Sequence, residues 1–543
     1  MGSHDDRAAD LVLKSRAIFS GCRPTPRSGA LAIKGRWIVG VGDEQEIDRY
    51  VGTNTQVHDL GDRLIIPGFN DFHLHLFVGS LSQDCLCLID AQSEHECANM
   101  VRRYAEEQTE REWVIGFRWY HVYWSNKQLP TRESLDAVVP DRPVFLFNDE
   151  LHGAWLNSCA LERLGIGPDT EDPPFGEIVR DDDGVPTGVL NETAMGLAQK
   201  VFSGLPGSYQ RKLVQNFLDN AARLGVTSVT DILPIPGLEM GDPDLYREFE
   251  REGKLTTRIH FLAALDGDLR RPRELREQFH SQRLQFSGLK QFLDGVPTTY
   301  TAYLVEPYSD QPDTRGDTLI PPDQVEAWTI DADREEFRIR FHACGDGAVR
   351  LALDCFEAAR ETNGTRDSRH TIEHIEVIHP GDLDRLADLG VIASMQPEHM
   401  APTPRYRDNP YLPRLGRERE QYTWPIRSLK SRGARMAFGT DFPVVSLSPM
   451  HEIYRAVTRT HEDGEPLGGW NPGEKISLEE AIIDYTAGPA YGVFREDEIG
   501  ILEAGRLADV VVLDRNLFET SEEEIKDCRV LMTIMDGEIV YEA

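Results

Sequence analysis

Short apolar runs rich in β-branched residues recur along the chain, most of them closed by Gly, Pro, Asp or Asn. Eight fall in its central part: Ile65–Leu76, Val226–Ile232, Arg258–Leu265, Gly288–Leu293, Arg338–His342, Thr371–Ile375, Val391–Met395 and Arg435–Gly439. Segments with helical spacing of apolar residues, such as Arg211–Leu224, Ala348–Thr362 and Pro380–Leu389, lie between several of them. Strand, helix, strand at this spacing predicts parallel βαβ units. Eight such strands predict an α/β fold, a closed (β/α)8 TIM barrel. The rival is an open doubly wound sheet, but no Gly-rich phosphate fingerprint follows the first strand.

The two ends read differently. Ala8–Ser20, Ala30–Lys34 and Arg36–Val41 are strand-like, as are Leu507–Leu513 and the two halves of Arg529–Tyr541 around Asp536-Gly537, a hairpin signal. Both ends are therefore expected to join one small β domain, residues 1–65 with 490–543, around a barrel spanning 66–489. The stretch from about 77 to 225 is too long for a loop and carries strand-like pieces of its own, Trp113–Phe117 and Val144–Asn148. It reads as an insertion after the first barrel strand.

Composition narrows the partners. Lys plus Arg is 58 and Asp plus Glu is 92, a net charge of −34 over 543 residues, with 40% hydrophobic residues. Such a chain can build a large core, and its acidity repels phosphate backbones, so nucleic acid is not an expected partner. No run of about 18 apolar residues occurs, so no membrane span is expected. Eight scattered cysteines without a CxxC pair, and no recognisable signal peptide, predict a reducing cytoplasm. The opening Met1–His4 is set aside as an expression remnant.

Within this frame a few polar residues stand out. His73 and His75 form an HxH in PGFNDFHLHL; alternate residues of a strand share a face, so both imidazoles can converge on one metal. His342 ends the strand Phe337–His342, opposite the face of Phe337, Ile339 and Phe341, and a Gly-rich break follows. That places it at the C-terminal mouth, where barrel active sites sit. Lys290 lies inside a strand run, where a lysine is costly to bury unless neutralised or bound. Asp441 closes FGTDFP at the end of the eighth run. His370 and His374 also match H-x-x-E-H, a zinc-peptidase helix motif, but their β-branched neighbours predict a strand in which Glu373 points away from the two histidines. The order matters more than any single residue: His-x-His on strand one, Lys on four, His on five, His on six, Asp on eight.

Together these motifs resemble the amidohydrolase superfamily, in particular amidohydrolase family 3. Ala30–Gly42, Pro67–Leu76, Glu150–Leu161, Asp183–Glu192, Phe341–Ala348, Ile372–Ile375, Gln396-Pro397, Gly439–Pro443 and Gly500–Leu513 carry the resemblance in order. It implies that the terminal strands form a small β-sandwich. It implies that His73, His75 and Asp441 hold one divalent metal and that His342 and His374 hold a second. It further implies that a CO2-derived carbamate on Lys290 bridges the two. Imidazole and carboxylate ligands suit Zn2+, with Mn2+ or Fe2+ as alternatives and one or two ions per chain.

The expected reaction is metal-assisted hydrolysis of an amide-type C–N bond in a small molecule, an N-acyl or N-formyl amine. Activated water attacks the carbonyl and Asp441 acts as general base, then acid. Trp119, His152 and Gln396 are the expected substrate contacts, and the insertion is expected to lid the mouth. A one-metal deaminase of the same superfamily is the nearest alternative, although its usual Glu three residues after the fifth-strand His is replaced by Gly345. A non-catalytic binding protein is a more distant one. A homodimer is expected from the resemblance alone.

Overall fold

The computed structural model describes residues 7–543, so Met1–His4 lies outside the described residues. Its centre is a ring of eight parallel strands: β1 Phe69–Leu74, β2 Val226–Ile232, β3 Arg258–Ala264, β4 Leu284–Phe292, β5 Ile339–Ala343, β6 Thr371–His374, β7 Ile392–Met395 and β8 Arg435–Phe438. Each strand pairs with its sequence neighbours. The ring closes where Leu74 meets Phe442, with the Asp441 amide donating to the His73 carbonyl at 2.7 Å and the His75 amide to Phe442 at 2.8 Å. This is a TIM barrel.

Alternation along the strands builds two layers. On β5, Ile339 and Phe341 face the helices, and Phe341 stacks on Phe356 of helix Asp346–Asn363 with ring centroids 5.1 Å apart. Arg340 and His342 face the barrel axis instead. The helices Gly207–Arg223, Pro243–Arg251, Arg270–Gln278 and Pro322–Arg334 precede β2 to β5 in turn, as right-handed βαβ units require.

Two strands differ from the sequence pattern. The run Ile65–Leu76 is divided: Leu64–Pro67 pairs with Val510–Leu513 in the terminal sheet, and only beyond Gly68 does the chain enter the barrel. Gly68 packs so tightly on the Thr227 side chain that no Cβ would fit there. β4 starts four residues earlier than the apolar run Gly288–Leu293, because Gly288 (φ 134°) lies inside the strand and breaks the pattern there.

The terminal strands from both ends form one mixed eight-stranded sheet. It branches at Leu11–Ile18, whose first half pairs with Gln56–Asp59 and whose last residues pair with Leu64–Pro67. The arms fold over a common core of Leu11, Leu13, Ile33, Val510, Val512 and Ile534, which is the expected β-sandwich. Between β1 and β2 a six-stranded sheet spans Leu86–Cys87 to Pro186–Glu192. Four of its strands carry too little alternation to stand out in the sequence. Its hairpin between Val144–Asn148 and Gly153–Leu156 reaches the barrel mouth. Asn148 Oδ1 holds that turn by accepting from the His152 and Gly153 amides at 3.0 and 3.1 Å. Among the described residues no helix is long and apolar enough to cross a membrane.

Candidate metal centre

The C-terminal ends of β1, β5, β6 and β8 converge on the floor of a cavity of about 960 Å³. His73 and His75 point inward from the end of β1, and their Nε2 atoms each lie 3.2 Å from Asp441 Oδ1. Asp441 reaches them because its own backbone is left-handed (φ 58°), one residue beyond the Gly439-Thr440 turn. Gly439 packs against the His73 backbone with no room for a Cβ, which brings β8 close enough to β1. Below, Asp71 accepts from Thr440 Oγ1 at 2.8 Å and Tyr485 Oη at 2.7 Å, locking the same seam.

His342 and His374 form the other half, with ring centroids 4.4 Å apart; His374 is 5.0 Å from His73. Lys290 is 1% exposed, and its Nζ contacts the Glu373 carboxylate. Glu373 also accepts from Arg340 Nε at 2.7 Å and lies 3.1 Å from His73 Nδ1. The expectation that Glu373 points away from both His370 and His374 is therefore corrected for His374, beside which it reaches the site. Ile372 takes the helix-facing position on β6, which turns Thr371 and Glu373 inward. His374 enters the site because its backbone turns left-handed (φ 77°) as the strand ends. His370 stacks on Phe356 at 4.6 Å outside the barrel, with Nε2 3.1 Å from Asp333. It cannot share an ion with His374, so the helical H-x-x-E-H arrangement is absent.

The three expected substrate contacts separate. His152 lines the cavity; its Nδ1 bonds Glu192 Oε2 at 2.8 Å and its ring is 5.2 Å from His342. Trp119 does not line it. Its Nε1 donates to the Leu146 carbonyl at 2.8 Å, and its ring packs with Trp124 and Trp155 in the insertion's own core. Arg118 takes a left-handed backbone just before it (φ 71°), so Arg118 and Tyr120 reach the cavity while Trp119 turns inward. Gln396 is buried and also does not line the cavity. Sequence reasoning missed Glu373, Cys344, His399 and Glu376. His399 follows β7 and its Nε2 is 3.9 Å from Asp441 Oδ2; Glu376 accepts from Tyr411 Oη at 2.7 Å. For Glu373 a signal existed, the apolar Ile372 beside it; His399 sits in the one-turn helix Pro397–Met400 and Glu376 in a loop, both too short to show periodicity.

Electrostatics favours a bound cation. Burial lowers His73 to about 4 and holds His75, His342 and His374 below the usual imidazole range, so their lone pairs stay free at neutral pH. Burial alone would raise the Asp441 carboxyl, but the facing His73 and His75 outweigh it and hold it well below the carboxylate range. Burial and the nearby Arg340 hold the Lys290 amine well below its usual value.

The donor set fits a metal ion. His73 Nδ1, His374 Nδ1, His399 Nε2 and Asp441 Oδ1 are buried without a hydrogen-bond partner, an arrangement that costs free energy unless a ligand satisfies it. Donor atoms of His73, His75 and Asp441 lie within 4.8 Å of one another, as do those of His73, Glu373 and His374. His75 Nδ1 donates to the Ile232 carbonyl at 2.7 Å, which leaves Nε2 as the metal-facing nitrogen.

A barrel with this donor set at its C-terminal mouth defines a metal-dependent hydrolase. The chain belongs to the amidohydrolase family, whose model matches residues 56–541. It is an enzyme that hydrolyses carbon–nitrogen bonds, and its centre takes a divalent metal. It is 29% identical over 542 residues to Protein LONG AFTER FAR-RED 3 of Arabidopsis thaliana, covering 98% of this chain and 92% of that one. It is 27% identical over 532 residues to the N-substituted formamide deformylase of Arthrobacter pascens, covering 94% and 95%. The solved structure of an uncharacterized metal-dependent hydrolase from Pyrococcus horikoshii superposes with a TM-score of 0.75 at 26% identity, over 94% of this chain and 99% of that one.

Proposed function

We propose that the protein hydrolyses the amide-type C–N bond of a small N-acyl or N-formyl amine. His73, His75 and Asp441 would hold one divalent ion, His342 and His374 a second, and Lys290 as its carbamate would bridge them. Zinc suits the imidazole and carboxylate donors. Once bound, the metal acts as a Lewis acid that eases ionisation of a water and polarises the scissile carbonyl.

The protein's own groups supply the rest. Asp441, ionised and facing the cavity, accepts the proton of the attacking water and returns it to the leaving nitrogen. His152 is fixed through Nδ1 by Glu192. Burial alone would lower the imidazole's pKa, but the Glu192 charge outweighs it and raises it, so the protonated ring can donate from Nε2 to the substrate carbonyl. Tyr120, Tyr123 and Phe292 line the same cavity and suit an apolar substituent on the amine. The identity to a named formamide deformylase supports the N-formyl choice. Burial keeps the Lys290 amine neutral enough to react with CO2.

One observation carries this reading: four buried donor atoms from β1, β6, the β7 loop and β8 converge on one cavity without partners. The test is a panel of N-formyl amines, N-acyl amines, cyclic amides and esters offered to the zinc-loaded protein and scored by mass. Release of an organic amine from the N-formyl or N-acyl members is expected. Release of ammonia would point to a deaminase, and no turnover of any amide or ester would overturn the proposal.

A further inference from the structure

One buried nucleophile at the centre has no part in the chemistry described so far. Cys344 follows His342 by two residues at the mouth end of β5, so alternation turns both side chains toward the cavity they line. The thiol is 1% exposed, and its Sγ lies 3.4 Å from His342 Nε2. Its backbone is pinned: the Cys344 and Gly345 amides donate to Asp294 at 3.0 and 2.8 Å. Val296 and Ala302 pack around it. Independently, His374 Nδ1 is buried and unpartnered, and donor atoms of His342, Cys344 and His374 lie within 4.8 Å of one another.

We infer that Cys344 is a protein ligand of the second metal position, where its sulfur joins one imidazole nitrogen each from His342 and His374. The inference rests on the metal-dependent reading above and adds a ligand to it. On ligation the S–H bond breaks, the proton leaves to solvent, and a sulfur lone pair binds the ion; no oxidation state changes. Three protein ligands with one position left open is the pattern of catalytic zinc sites. This half of the centre therefore holds its ion without needing a carbamate on Lys290, whose amine lies against Glu373. A thiolate also biases the position toward zinc and away from manganese. The rival explanation of the 3.4 Å contact is a plain S–H···N hydrogen bond.

Cobalt substitution separates the two. The full-length protein is stripped of metal, titrated with Co2+, and followed by absorption and metal content. A near-ultraviolet thiolate-to-cobalt charge-transfer band is expected in the wild type. It should be lost in Cys344→Ser and kept in Cys355→Ser, whose thiol packs in the barrel's outer layer. A cobalt-loaded wild type without the band, or a band that survives Cys344→Ser, overturns the inference. Should Cys344→Ser not fold, X-ray absorption at the cobalt edge of the wild type decides: a sulfur neighbour is expected, and nitrogen and oxygen neighbours alone overturn it. Failure here is distinct from failure of the functional reading. A band without amide hydrolysis leaves the ligand in place, and hydrolysis without a band leaves the function in place.

Discussion

The barrel buries charge at both ends, and the two ends treat it differently. At the N-terminal end Arg258, the first residue of β3, is 0% exposed and meets Asp509 and Asp536 of the terminal sheet, with Nη2 3.0 Å from each. Arg36 and Arg283 bond Asp536 as well, and the Asp536 amide donates to Asp509. There every carboxylate has a cationic partner. At the C-terminal end His73 Nδ1, His374 Nδ1 and Asp441 Oδ1 make no hydrogen bond, and Asp441 faces only imidazoles. A fully paired cluster ties two sheets together; a cluster with open donor atoms awaits a ligand. Burial alone distinguishes neither, and the difference lies in whether the partners come from the protein.

The sharpest break of this contrast is Asp441→Asn. It keeps the shape and removes the proton acceptor, so kcat on a hydrolysed N-formyl or N-acyl amine should fall by about 10²–10⁴-fold, with the melting temperature of the metal-free protein little changed. Arg258→Met should do the opposite. It strands the buried Asp509 carboxylate, while Asp536 keeps Arg36 and Arg283. It should cost about 3–5 kcal/mol in urea denaturation, while the folded enzyme keeps its kcat. Chelation acts only at the C-terminal end: activity should vanish, and stability should drop by about 2.7 kcal/mol if the ion had been present at about 100 times its Kd. Calorimetry with and without chelator checks this.

Two smaller effects sharpen the picture. Trp119→Phe should leave KM within about twofold and cost about 1–3 kcal/mol through lost packing and the lost bond to the Leu146 carbonyl; steady-state kinetics beside thermal melts separate the two. Burial alone would raise the Asp536 carboxyl, but Arg258, Arg36 and Arg283 outweigh it and hold it below the usual carboxylate range. Its folded pKa is depressed, so its stabilisation is present above about pH 4 and drains away as pH falls through the lowered value. Melting temperature should therefore drop less steeply between about pH 5 and pH 3 in Asp536→Asn than in the wild type.

Much of the site was legible because strand periodicity is local. The shared face of His73 and His75 followed from alternation, and the place of His342 at a strand end from alternation and the Gly-rich break after it. Glu373 and His374 show where that logic stops: two adjacent residues on one strand both reach the site because the backbone turns left-handed at its end. Trp119 shows the same limit. A tryptophan among aromatics reads equally well as pocket or core, and the turn at Arg118 decides.

By itself, the amino-acid order determined the eight-strand repeat, the union of the two ends and a first set of candidate donors, His73, His75, His342, His374, Lys290 and Asp441, since each rests on spacing within a few residues or on the chemistry of a side chain. The tertiary structure decided which donors actually meet. Asp441 touches His73 across 368 positions of chain and Lys290 meets Glu373 across 83. Closing those distances is the work of barrel curvature and of a few strained turns, and no local pattern encodes either.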